Sequence, residues 1–152
     1  RRAKKTDPGF PKAHIGWDRW LDMNKYVIDT QAIIKFLNGQ KVINDNIDQL
    51  LKMTDEGKNI IIIPSVVIFE IGYLHEKKKI PISIADVGKI INSSVNYVEE
   101  KLSINIIKSA FEITDIPELH DKLIAGTARY LNLPLITNDP VILQSSFVEC
   151  IK

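Results

Sequence analysis

Glu118-Leu-His-Asp-Lys-Leu-Ile-Ala-Gly-Thr-Ala-Arg-Tyr-Leu-Asn-Leu-Pro-Leu-Ile-Thr-Asn-Asp139 reads as a helix, a tight turn and a short buried strand. The helix is expected from about Pro117 to near Asn132, and the strand over Leu133–Thr137. One carboxylate, Asp121, falls in the first turn of the helix, and another, Asp139, falls just past the strand. Such a unit projects two acids from rigid elements. Asp29 and Glu70 are the acids that the rest of the chain is expected to bring to the same place.

Outward from that stretch, strand and helix patterns alternate. Lys25-Tyr-Val-Ile28 is a β-rich run ended by Asp29-Thr30, either of which can cap the helix bearing Ile33, Ile34 and Leu37. Gly39 closes that helix, and Gly57 closes a second one with Ile47, Leu50, Leu51 and Met53 on its stripe. Asn59-Ile-Ile-Ile-Ile63 is an unbroken apolar run that suits a central parallel strand covered on both faces. Pro64-Ser65 opens another helix, with Ser65 as its expected N-cap. Val66, Val67, Phe69, Ile71 and Leu74 mark this helix as mostly buried, and Glu70 lies among them. It ends in Lys77-Lys78-Lys79. A helix over Ile80–Ser94, a weak strand over Val95–Val98 and a helix over Ser103–Thr114 follow; the last carries Ile104, Ile107, Ala110, Phe111 and Ile113. Beyond Asp139, Pro140–Ser145 reads as a short helix and Phe147–Ile151 as a last strand.

This alternation argues an α/β fold, a doubly wound parallel sheet of about five strands with helices on both faces. A length of 152 residues suits one domain with a sizeable core. No apolar run approaches the roughly 20 residues that span a bilayer, and the N-terminus has no apolar signal core. Cys150 is the lone cysteine, which excludes an intrachain disulfide and a cysteine zinc site. A cytoplasmic protein without membrane association is the expectation. Net charge is +1, but six cations and three carboxylates in residues 1–22 leave −2 for the remainder. Overall charge therefore does not announce nucleic-acid binding, which would have to be handled locally.

Sites in open parallel sheets form outside the carboxyl ends of the strands, where strand order reverses. With strand order 3-2-1-4-5, Asp29 and Asp139 face each other across that point. Ser65 and Glu70 open on the same edge. A helix entering a strand is expected to start at the opposite edge, so the Asp115–Leu119 loop must carry Asp121 over the cleft. Each acid also has a plain structural reading: Asp29 and Asp139 as caps, Asp121 as a complement to the helix dipole, Glu70 as a carboxylate snorkelled to the surface. Their convergence argues more. Carboxylates crowded in one cleft repel each other, and a hard divalent cation, Mg2+ or Mn2+, resolves the repulsion. Such a cation polarises a phosphodiester, lowers the pKa of a bound water and reverses the local charge toward a polyanion.

The runs Tyr-Val-Ile-Asp29-Thr30, Pro64-Ser-Val-Val-Ile-Phe-Glu70-Ile-Gly72, Ile116-Pro-Glu-Leu-His-Asp121-Lys-Leu-Ile-Ala125 and Leu135-Ile-Thr-Asn-Asp139 resemble a PIN domain, most closely a VapC-type toxin of VapBC toxin–antitoxin pairs. The resemblance covers about Lys25 to Ile151. It implies a three-layer PIN-like sandwich and a Mg2+- or Mn2+-dependent endoribonuclease that hydrolyses RNA by metal-activated water. It also implies Asp29, Glu70, Asp121 and Asp139 as the acidic catalytic and metal-binding quartet, supported by Thr30, Ser65, Thr137 and Asn138. A cognate antitoxin and a homodimer are the implied partners.

Residues 1–22 read separately from the 23–152 domain. Gly16-Trp-Asp-Arg-Trp-Leu21 is similar to an antitoxin tail, with Trp17 and Trp20 expected in a groove and Arg19 or Lys12 near the acids. A non-catalytic PIN-like module that binds RNA or protein is the alternative. A receiver-type phosphoacceptor would want paired acids after strand one, where Asp29 is followed by Thr30.

Overall fold

The computed structural model describes residues 17–152, with the side chains of Trp17 and Asp18 left aside. The expected approach of Lys12 to the acids and the docking of Trp17 lie outside the described residues. Four parallel strands form the sheet: β1 (Asn24–Ile28), β2 (Asn59–Pro64), β3 (Tyr97–Glu100) and β4 (Leu135–Ile136). Their order is β3-β2-β1-β4. Tyr26 pairs with Ile61, Ile61 with Tyr97, and Val27 with Leu135. The strand order is the expected one, and the strand count is four rather than five. Where a fifth strand was expected, Cys150 makes one isolated parallel bridge to Leu135, through Leu135 N–H to Glu149 O (2.9 Å) and Ile151 N–H to Leu135 O (3.0 Å). With β4 only two residues long, there is no ladder for a neighbour to extend.

The helices are α1 (Trp17–Asp22), α2 (Thr30–Leu37), α3 (Asp45–Asp55), α4 (Ser65–Glu76), α5 (Ile84–Ser93), α6 (Ile104–Phe111), α7 (Leu119–Leu131) and α8 (Pro140–Leu143). The steps β1→β2→β3 run one way and β3→β4 crosses back over both. Right-handed connections therefore cover both faces of the sheet. Every residue of β2 is buried, as the apolar run requires. Ile28, Ile33, Ile60, Ile61, Ile63, Ile71 and Ile124 are among the fully buried side chains between the layers.

Two helical expectations change. Phe69 is 65% exposed, not core. α6 buries Ile106 and Ala110 and leaves Ile104, Ile107 and Phe111 outside. The buried face of α6 is set by α7: a Cβ on Gly126 would lie 2.6 Å from Ala110 Cβ and 2.7 Å from Ala110 Cα, so only glycine permits this close approach. In α1, Trp20 is buried within the core cluster; its indole N–H donates to Val95 O at 3.4 Å, and Lys25 Nζ stands 4.8 Å from the ring centroid. Arg19 is exposed. No helix among the described residues is long and apolar enough to cross a membrane.

Candidate active site

Each acid of the expected quartet is held by local structure before it reaches the cleft. Asp29 follows β1 and caps α2, its Oδ1 accepting from Ala32 N–H at 3.0 Å. Thr137, one residue past β4, donates its hydroxyl to Asp29 Oδ2 and accepts from Asp139 N–H at 3.0 Å. A single threonine thus ties the ends of the two central strands together. Asp139 caps α8 through Oδ1, which accepts from Val141 N–H (2.9 Å) and Ile142 N–H (3.2 Å). The plain capping readings of Asp29 and Asp139 are therefore correct, and capping is also what orients them. Each has a second oxygen that the cap does not use.

Glu70 lies on the second turn of α4. Thr30 donates its hydroxyl to Glu70 Oε1, and His120 Nδ1 stands 3.4 Å from Glu70 Oε2. The same ring nitrogen is 3.2 Å from Glu118 Oε2. Glu118 caps α7, accepting from Asp121 N–H at 2.8 Å. Asp121 follows in the first turn of that helix.

The expectation that α7 starts at the far edge of the sheet is overturned. A helix between parallel strands runs antiparallel to them. α7 ends at Leu131 with Asn132 as its left-handed cap at φ 56°, three residues before Leu135 opens β4, so its 13 residues lead back to the carboxyl edge. No special loop is needed to bring Asp121 there.

Asp29, Thr30, Glu70, Asp121, Asn138 and Asp139 line one cleft of about 630 Å³. Thr137 is buried behind them. Ser65 does not join this group. It is the first residue of α4 rather than its N-cap, which is Pro64 with no side-chain hydrogen bond. Ser65 Oγ stands 2.9 Å from Glu99 Oε2 and 3.2 Å from Glu100 O, at the end of β3. Arg19 is not among the residues lining the cleft. Residues that the sequence reading did not assign to the site also form its walls: Gln31 and Lys35 from α2, Phe69 and Tyr73 from α4, and His120. Phe69 and Tyr73 flank Glu70 at helical spacing; of the two, Phe69 was read from the sequence as core and Tyr73 was not assigned.

The electrostatics of the cleft are those of crowded acids. Burial raises the Asp29 carboxyl above the ordinary range, hydrogen bonds from Thr137 and Ala32 oppose the rise, and Asp139 and Glu70 add to it. Asp121 is pushed up to about 6, first by burial and then by Asp139, Glu118, Glu70 and Asp29. Among the described residues no lysine or arginine is ion-paired with any of the four. Nor do three acidic, imidazole or thiol groups there stand close enough to cage an ion by themselves. The donors are all hard oxygens, and two of the carboxylates are pre-oriented. That chemistry fits Mg2+ or Mn2+, which keep several waters and need one or two carboxylates directly.

The described fold is similar to a solved complex of VapBC2 from Rickettsia felis bound to a DNA fragment from the promoter of the pair. The TM-score is 0.62 at 19% identity, over 84% of this chain and 97% of that one. DNA-bound VapBC from Salmonella typhimurium is similar at TM-score 0.60 and 15% identity, over 85% and 98%. A toxin–antitoxin complex from Klebsiella pneumoniae follows at 0.54 and 18%, over 81% and 94%. At these identities the likeness is one of fold. No curated protein matches the sequence at a significant level. The family match is made by the sequence itself: residues 26–146, from β1 past α8, match the PIN domain. The chain belongs to the PIN domain family.

Proposed function

We propose that this PIN domain is a divalent-metal-dependent endoribonuclease and the toxin of a toxin–antitoxin pair. The observation that carries this reading is the convergence of Asp29, Glu70, Asp121 and Asp139 on one cleft with no lysine or arginine paired to them among the described residues. A bound Mg2+ or Mn2+ supplies positive charge that draws in and polarises a phosphodiester and lowers the pKa of water.

The chain's own contribution is placement. Asp29 and Asp139 offer oxygens fixed by helix caps and by Thr137. Thr30 donates to one Glu70 oxygen, and His120 Nδ1 stands 3.4 Å from the other. Asp121 comes in from the start of α7. Asn138 is exposed at the rim and offers an amide to substrate. Arg129 pairs with Glu112 at 3.2 Å and has no role at the acids.

An antitoxin partner is supported by the toxin–antitoxin complexes that share the fold. The burial of Trp20 supports residues 1–22 as an antitoxin-like arm on the 23–152 domain. Homodimerisation is supported by the exposed row Ile104, Ile107 and Phe111 on α6.

The test is cleavage. Full-length protein should cut RNA in magnesium or manganese, and EDTA or Asp29→Asn should each abolish cutting. Undiminished cutting by Asp29→Asn would remove the mechanism. An intact fold that takes up no metal would favour the non-catalytic binding module.

A further inference from the structure

The α4 wall of the cleft carries more than a metal site requires. Phe69 and Tyr73 are one helical turn apart, 65% and 52% exposed, and both line the cleft beside Glu70. Lys77 continues the same row, its Nζ 5.4 Å from the Tyr73 ring centroid. Lys78 and Lys79 follow, all three lysines are exposed, and Lys78 at φ 60° turns the chain out of the helix. Phe69 to Lys77 spans about 12 Å of helix axis. Lys35 stands on the cleft wall contributed by α2.

We propose that this row is a platform for single-stranded RNA, on which unpaired bases stack on Phe69 and Tyr73 and the adjoining phosphates reach Lys77–Lys79. The strand then enters the cleft past Glu70. This assigns a substrate-binding surface beside the site and rests on the nuclease reading.

An acidic cleft repels a polyanion until a cation is bound there, so lysines around it add attraction along the approach. Three consecutive lysines at a helix end would by themselves be ordinary partners of the helix dipole. Here they continue a row of exposed rings that leads to the carboxylates. Aromatic faces beside cations are the recurring means of holding unpaired bases without reading sequence. A duplex keeps its bases stacked inside and cannot use the rings. A purely apolar protein segment could cover the rings but would leave the lysines unmatched, so charge complementarity favours RNA.

The experiment measures binding apart from cleavage, by anisotropy of a short fluorescent single-stranded RNA with full-length protein in EDTA. Phe69→Ala and Tyr73→Ala should each weaken binding about five- to a hundredfold. Replacing Lys77, Lys78 and Lys79 by alanine together should reduce the slope of log K against log salt by about 2. Unlabelled duplex of the same sequence should compete poorly. Melting temperatures within a few degrees of wild type show that the variants are folded. Single-strand affinities within twofold of wild type for both aromatic variants would overturn the proposal and leave the rings to a protein partner. Equal competition by duplex would also overturn it. Binding that depends on the rings, without cutting in magnesium, would sustain the platform while overturning the nuclease reading. Cutting with unaffected binding would do the reverse.

Discussion

Asp121 shows most clearly what the cleft costs when no cation is bound. Its carboxyl is raised to about 6, and Asp29 is raised too. A carboxyl whose folded pKa exceeds its unfolded value contributes stability below the unfolded pKa, about 3.9, and loses it as pH rises through the folded pKa. Metal-free protein should therefore become more stable as pH falls from 7 toward 5. Asp121→Asn should stabilise EDTA-treated protein at pH 7 by on the order of 1 kcal/mol, because half-exposure discounts the full shift. Thermal melts across that window check both, and an Asp121→Asn melt below wild type would contradict the account. Thr137→Val removes a donor to buried Asp29 and an acceptor for Asp139 N–H, and should cost about 1–3 kcal/mol by denaturant melt. At this scale Asp29 and Asp139 were legible because strand ends are legible. Asp121 was legible by resemblance. Ser65 was misread because pattern does not distinguish an N-cap from the first helical residue, and here proline takes the cap.

Among the elements, the contact between α6 and α7 matters most to the site, because α7 delivers both Asp121 and His120. Gly126→Ala would drive a methyl into the Ala110 backbone, which has no side-chain freedom with which to retreat. The variant should lose about 1–3 kcal/mol and part of its metal affinity, since α7 must move to accommodate the methyl. A melt and a metal titration check this together. Wild-type values in both would mean that the close approach is not needed. Period 3.6 failed to locate Phe69 because Val66, Val67, Ile68 and Phe69 are consecutive, so no face of α4 stands out in sequence. On α6 two apolar faces alternate, and only the neighbour, α7, decides which is buried.

Across the molecule, the parallel sheet followed from alternating elements and right-handed crossovers, whereas its 3-2-1-4 order was legible only through the family resemblance. The fifth strand did not form because β4 is too short to template it, which lies in pairing geometry rather than in the composition of Phe147–Ile151. The 22/23 boundary drawn from composition lies beside a buried Trp20, so the arm and the sheet share a core. Deleting residues 1–22 should cost about 3 kcal/mol, lowering the melting temperature by on the order of 10 °C. An unchanged melt would mean that Trp20 contributes nothing.

The starts of α2, α7 and α8 and the second turn of α4 bring the four carboxylates to one cleft, and the central claim is that this cleft is a divalent-cation site. Calorimetric titration of Mn2+ into metal-stripped full-length protein tests it most directly. The account predicts saturable binding to wild type, weakened by more than about tenfold in Asp29→Asn, the least that loss of a ligand's own supporting partner causes elsewhere. Equal binding by wild type and Asp29→Asn, or none by wild type, would contradict it.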